Sequence, residues 1–296
     1  MKAFPPGRRG VLLPLDDRRT AALGICMYTA SKPWVIALQV SAYWFSRALG
    51  PRLLPGRTEP WCPPAADEDW RDLIAAWTTA TGRIDRLAVY QRRQHDRSGV
   101  TLLLTRDGGP TAVVKLRDEA GTLDQEQRAL RAIETARPAT FHAPRPLGGG
   151  RVGPWWWSAQ QAVFRRPHRP VLRCDPALFD EVHHILAEVV RPVGAGFQAA
   201  HGDLTPWNLR RDAGGQTWLF DWEDIVAAPP DTDRAYFAAS AAALGAGPPP
   251  SGLPPAAVAY CRDLIRARSV TTRADAVLAD GMLAALDAMN TDTPED

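Results

Sequence analysis

Residues 201–223 of this chain (HGDLTPWNLRRDAGGQTWLFDWE) leave the backbone few ways to run. Pro206 fixes its own φ and biases Thr205 away from helix, so 201–208 reads as a rigid loop. Residues 211–216 hold the glycines of a tight turn, and Leu209-Arg210 and residues 217–220 flank it as short strands. Such a hairpin returns the end of its second strand to the start of its first. Asp221 is thereby set beside Asn208, with Asp203 five residues before the Asn. The competing reading is a surface loop whose Asp and Asn are ordinary turn formers.

A converging Asp, Asn and Asp suit phosphoryl transfer. That reaction needs an acceptor for a hydroxyl proton and two oxygen ligands holding Mg²⁺ against a triphosphate. The stretch resembles the catalytic loop and metal-binding segment of the aminoglycoside phosphotransferase and choline kinase-like enzymes, relatives of protein kinases. Their pattern is His-Gly-Asp, four residues, Asn, then a hydrophobic residue with Asp-Trp-Glu, and every position is met here. Pro206-Trp207 stands where Pro-Gly or Pro-His is commoner, and looks like a subgroup often found beside glycan-assembly enzymes. The resemblance implies Asp203 as catalytic base, Asn208 and Asp221 as Mg²⁺ ligands, and His201 as structural support for the loop. It also implies a downstream Asp that anchors the loop by accepting its backbone N–H groups. In residues 229–237 that is Asp233, with Asp231 the rival as helix N-cap.

Upstream, residues 87–91, 100–105 and 111–116 are apolar or β-branched runs separated by turn signals, and read as three antiparallel strands. A helix follows over 122–136, with Leu123, Gln127, Leu130 and Ile133 at near-helical spacing. This matches the small lobe of the family, where a strand Lys grips the α/β-phosphates and pairs with a helix Glu. By resemblance these are Lys115 and Glu126, with Glu134 competing for the second role. Only three of the 35 basic residues are lysines, so a Lys at position 115 is notable where a compact ammonium suits better than a guanidinium fork. The turn 95–99 holds one glycine and no Gly-rich signature; amides at Ser98 and Gly99 are the candidates to meet a β-phosphate.

Residues 144–150 read as a loop, and 155–158 and 161–164 as two short strands leading to a hinge. Backbone groups from Ala162 through Phe164 to Arg165 are then expected at the adenine edge. A single helix fits 175–191, with Asp175 as N-cap and His183-His184 as packing or solvated residues rather than a metal pair. Many aminoglycoside kinases carry a larger helical insert here, and its absence argues against a deep antibiotic pocket. A Pro/Gly linker over 245–255 precedes helices over 256–269 and 273–289.

The N-terminal part lies outside the resemblance, which covers roughly residues 84–290. Residues 33–49 form a helix that is apolar nearly all round and too short to span a bilayer. Burial against the small lobe is the expectation. A membrane-surface or partner-binding helix is the rival, favoured by its tryptophans and by flanking Arg9, Arg18, Arg19, Lys32, Arg47 and Arg52. Trp70, Leu73, Ile74 and Trp77 make an i, i+3, i+4, i+7 stripe on a second helix.

Taken together, the expectation is an α+β, two-lobed, kinase-like fold. A helical extension (1–80) packs on a small antiparallel-sheet lobe with one helix (81–165), and a larger, mostly helical lobe follows (166–296). The expected activity is ATP- and Mg²⁺-dependent transfer to a hydroxyl of a small molecule, a sugar or glycan-pathway metabolite, with GTP left open as donor. Transfer to an aminoglycoside or other antibiotic is the alternative; a catalytically weak kinase-like binding module is the alternative of another class. Aminoglycosides are polycations, whereas Arg165, Arg166, His168, Arg169 and Arg173 before the loop suit a neutral or anionic sugar. Net charge of +2 gives no reason to expect nucleic acid. Four cysteines without paired spacing and an N-terminus lacking a signal-peptide pattern fit reduced thiols and a cytoplasmic location.

Overall fold

The structure is a computed structural model that describes every residue except 7–9, 92–98, 192, 193, 195, 269, 271 and 291–296. It is α+β and divides into two compact units. The first comprises Met1–Gln127, Pro144–Arg169 and Asp212–Gly215; the second comprises Arg128–Ala143, Pro170–Arg211 and Gln216–Asp296.

The first unit opens with a hairpin of β1 (Lys2–Phe4) and β2 (Val11–Leu13), then α1 (Arg18–Ile25), α2 (Pro33–Leu49) and α3 (Asp67–Thr81). Strands β3 (Arg86–Gln91), β4 (Val100–Arg106) and β5 (Gly109–Arg117) lead into α4 (Gly121–Ala136), whose residues from Arg128 on belong to the second unit, and β6 (Pro146–Val152) and β7 (Trp155–Gln161) follow. All seven strands join one antiparallel sheet in the order β1-β2-β3-β4-β5-β7-β6. The period-two alternation explains why the Leu102-Leu103-Leu104 centre of β4 is apolar without interruption. Leu102 and Leu104 pack on Leu73 and Trp77 of α3, while Leu103 faces Leu23 of α1. A sheet covered on both faces has no solvent side to mark with polar residues.

The N-terminal extension is not purely helical: residues 2–4 and 11–13 are strands that lengthen the sheet, where Val11 and Leu12 pair with Tyr90 and Val89 of β3. Gly148-Gly149-Gly150 lies in a strand rather than a loop. Its neighbours leave little room for side chains: a Cβ on Gly149 would lie 3.1 Å from the Trp157 carbonyl and one on Gly148 3.2 Å from the Ala80 Cβ of α3. Residues 155–161 then form one strand in place of two. Finally, α2 joins the core along one line only: Gln39, Tyr43 and Ser46 are its buried residues, with Tyr43 in the apolar cluster of Phe4, Val11 and Ile25, while Trp34, Leu38, Val40, Trp44, Phe45 and Leu49 are exposed. The inward line is held by polar bonds from Gln39 Nε2 to the carbonyls of Ile25 and Tyr28, and from Tyr43 Oη to that of Arg165.

The second unit continues with β8 (Arg169–Pro170), α5 (Ala177–Leu186), β9 (Gln198–Ala200), β10 (Leu209–Arg211), β11 (Thr217–Leu219) and β12 (Val226–Ala228). Helices α6 (Thr232–Ala243), α7 (Pro255–Ala267) and α8 (Arg273–Asn290) complete it. Asp175 caps the start of α5 by accepting from the Ala177 amide at 2.9 Å, but the helix stops well short of the expected residue 191. One core gathers Leu178, Val182 and Leu186 of α5 with Leu204, Leu219 and Trp222; another joins Tyr236, Val258, Cys261 and Leu286 of α6, α7 and α8. All four cysteines are free thiols.

Candidate active site

In the first unit, alternation along β5 sends Val114 and Leu116 into the α3-side core and Lys115 to the opposite face. There its Nζ lies 2.6 Å from Glu126 Oε1 of α4, with both side chains buried. Glu134, two turns further along the helix, is exposed. A buried ion pair is weak evidence for stability, because desolvating two charges offsets most of their attraction. A lysine held in this way is positioned rather than merely accommodated. Gly99 enters β4 at φ +108°, and a Cβ there would overlap the Leu116 carbonyl. Ser98 and most of the 95–99 turn lie outside the described residues. Further on, the Ala162 amide donates to the Thr111 carbonyl at 3.3 Å, and the Arg165 carbonyl accepts from Tyr43. Phe164 stacks on His168, whose Nε2 bonds the Cys26 carbonyl at 2.9 Å. Part of the expected adenine edge is therefore engaged within the protein.

In the second unit, the loop ahead of β10 is fixed from below. Asp233, on the first turn of α6 and fully buried, accepts from the amides of His201 at 2.7 Å and Gly202 at 3.1 Å. Asp231 occupies the N-cap position without capping through its side chain. The His201 ring approaches the Phe220 carbonyl through Nε2 at 3.1 Å and the Asp203 amide through Nδ1 at 3.3 Å. A carbonyl needs a donor and an amide needs an acceptor, so these partners select the neutral Nε2–H tautomer. His201 is thereby a strut between the loop and the far end of the hairpin. His183 lies 3.3 Å from Asp233 and next to Gln198, while His184 is exposed, so the two histidines do not form a metal pair.

Gly202 has φ +77°, and a Cβ would overlap the Asp224 carbonyl. Gly202→Ala is therefore expected to destabilise the fold by roughly 1–2 kcal/mol from the left-handed backbone alone. By displacing the loop it should also cost about 100-fold in any turnover. A thermal melt beside a turnover assay checks this; wild-type values in both would show that the loop yields freely.

The hairpin brings its ends together. The Phe220 amide donates to the Asn208 carbonyl at 3.0 Å, which places Asp221 alongside Asn208. Asn208 donates from Nδ2 to both the carbonyl and Oδ2 of Asp203, each at 2.9 Å. That fixes the amide's orientation and leaves its Oδ1 as a hard oxygen donor with no partner among the described residues. Asp221 sits in the left-handed region at φ 63°, a conformation Asp tolerates but that few residues adopt without need. One of its carboxylate oxygens comes within 4.8 Å of one oxygen of Glu223, which is buried. Oxygen donors of this kind fit a divalent hard cation.

Asp203 is almost fully buried. Desolvation pushes its carboxyl above the usual carboxylate range, Asp224 and Asp221 push the same way, and Arg268 pulls it back. Arg268 follows the last turn of α7 and sets Nη2 2.9 Å from Asp203 Oδ1. Its guanidinium also lies over the Tyr236 ring, 5.1 Å from the centroid. Tyr236 is buried, and its hydroxyl has no partner among the described residues. Neither Arg268 nor Tyr236 carries a sequence signal. They meet Asp203 from 65 and 33 residues downstream, with no spacing rule connecting them.

No family model matches this chain, and no curated protein matches it. Among solved structures it is similar to a spectinomycin phosphotransferase crystallised with ADP and spectinomycin, at 10% identity and a TM-score of 0.42 over 74% of this chain and 86% of that one. It is also similar to an aminoglycoside-3′-phosphotransferase of type VIII, at 16% identity and a TM-score of 0.40 over 74% and 98%. A third is the PknI kinase domain of Mycobacterium tuberculosis, at 20% identity and a TM-score of 0.32 over 71% and 97%. Likeness at this level fixes neither fold nor chemistry, which rest on the geometry above.

Proposed function

We propose that this chain is a phosphotransferase of the small-molecule kinase type, moving the γ-phosphate of ATP to a hydroxyl with Mg²⁺. The observation that carries this reading is the loop built on Asp233, which holds Asp203 through Asn208 and sets Asp221 beside that Asn. Lys115, held by Glu126, supports it from the first unit.

Each residue then has a task. Lys115 holds the α/β-phosphates as a point charge, with Glu126 keeping the ammonium in place. The Gly99 amide is the described group of the 95–99 turn available to cover the phosphates. The Ala162 carbonyl and the Val163 amide, neither with a partner among the described residues, are the backbone groups offered to the adenine near Phe164. Asn208 Oδ1 and the Asp221 carboxylate would hold Mg²⁺, which would supply charge neutralisation to the phosphates. Asp203 orients the acceptor hydroxyl and accepts its proton. Its burial makes it a better base than an exposed carboxylate at the same position.

Arg268 bears on the acceptor. It is the cation nearest the proposed base, and its side chain remains 39% exposed. Of its N–H donors, one bonds Asp203, and no other has a partner among the described residues. A hydroxyl compound bearing a carboxylate or phosphate, such as an anionic sugar, would find a donor pair there, whereas a polycationic antibiotic would be repelled. Transfer of labelled γ-phosphate by the intact protein to a panel of neutral sugars, anionic sugars, nucleosides and aminoglycosides tests this. Anionic sugars should be the best acceptors, and Arg268→Ala should raise their KM roughly tenfold or more while leaving the KM of neutral acceptors alone. An equal loss in kcat for every acceptor would instead tie Arg268 to Asp203 only. Nucleotide binding without transfer to any acceptor would favour the binding-module reading.

A further inference from the structure

We infer that the outer face of α2 docks this protein on an anionic membrane surface. The inference is independent of the proposed chemistry. A helix on a folded domain ordinarily turns its apolar stripe inward. Here the burial is inverted: Gln39, Tyr43 and Ser46 point in, while Trp34 is 65% exposed, Leu38 59%, Trp44 49% and Leu49 61%. Trp34, Leu38, Phe45 and Leu49 fall at i, i+4, i+11 and i+15, within about 60° of one helical face. Leu53, just past the helix end, adds another exposed apolar group. Exposed large apolar side chains gathered on one helical face mark an interaction surface rather than ordinary surface scatter.

Charge selects the occupant. From Arg18 to Thr58 the chain contains six basic residues (Arg18, Arg19, Lys32, Arg47, Arg52 and Arg57) and no Asp or Glu. All six are exposed, and Arg166 sets its guanidinium 6.0 Å from the Trp44 ring centroid. A second copy meeting this face in a two-fold contact would bring like charges together. Anionic headgroups, by contrast, offer counter-charges at the rim and an apolar layer beneath. Arginine and lysine stems can lie along such a boundary with their charged ends in water, and Trp is at home there. Among the described residues no helix is long and apolar enough to cross a membrane, so α2 would lie in the interface plane.

The test uses the intact protein and sedimentation with phosphatidylcholine vesicles, with or without a minority of phosphatidylglycerol. Binding to the anionic vesicles at low salt is expected, with a blue shift in Trp emission, little binding to neutral ones, and release near 1 M salt, where the screening length is about 3 Å. Arg47→Gln with Arg52→Gln should lower the partition coefficient roughly 30-fold. Leu38→Glu with Phe45→Glu should abolish binding, and since Leu38 is 59% exposed and Phe45 38%, the melting temperature should fall only slightly. No binding of the wild type to anionic vesicles at low salt overturns the proposal. Unchanged binding by the Leu38/Phe45 variant does so as well. So does concentration-dependent dimerisation that this variant removes, which would assign the face to a second copy.

Discussion

Asp203→Asn is expected to lower turnover by about 10²–10⁴-fold while leaving the fold and nucleotide affinity nearly intact. The carboxylate is placed by two donors, Asn208 Nδ2 and Arg268 Nη2, each at 2.9 Å. The amide of the variant can still accept from one of them, so the loop keeps most of its support from Asp233 and His201. What it loses is the capacity to take a proton. Burial has already raised this carboxyl, so the native group is tuned toward proton transfer, and its loss should appear in kcat rather than in KM for ATP. Single-turnover kinetics with labelled ATP check this. A kcat like that of the wild type would remove Asp203 from the role of base and leave it a structural link between Asn208 and Arg268.

Asp221→Ala carries the second large effect. The residue accepts a left-handed backbone at the end of the hairpin, placed by the Phe220-to-Asn208 bond. Alanine tolerates that conformation less well than Asp, and it offers no oxygen. Mg²⁺-dependent ATP binding should be lost, while Asn208→Ala should only raise the Mg²⁺ concentration required, since one neutral carbonyl oxygen is a weaker ligand than a carboxylate. Titrating Mg²⁺ against fluorescent nucleotide displays both. Identical titrations in the two variants and the wild type would dissociate this hairpin from metal binding.

The elements legible in the sequence are those whose geometry is local. Pro206 and Gly214-Gly215 specify a loop and a turn within a dozen residues, so the approach of Asp221 to Asn208 follows from short-range rules. Lys115 and Glu126 are likewise separated by one strand end and one helical turn. The glycines of β6 misled because their reason is tertiary: Gly148 and Gly149 let the strand run close to Ala80 of α3 and to the Trp157 carbonyl of the neighbouring strand. The strands at residues 2–4 and 11–13 are too short to announce themselves: 11–13 becomes a strand on the edge of β3, and 2–4 on the edge of 11–13. Arg268 reaches Asp203 through the packing of α7, and no pattern in one chain reports that distance. For α2, composition alone pointed to burial, whereas three polar side chains decided which face turns inward.

Calorimetric titration of ATP into the wild-type protein, with and without Mg²⁺, reads the proposed chemistry most directly. Saturable binding that strengthens with Mg²⁺, persists in Asp203→Asn and is lost in Asp221→Ala is the predicted result. ATP binding indifferent to Mg²⁺ in all three proteins, or no binding at all, would contradict it.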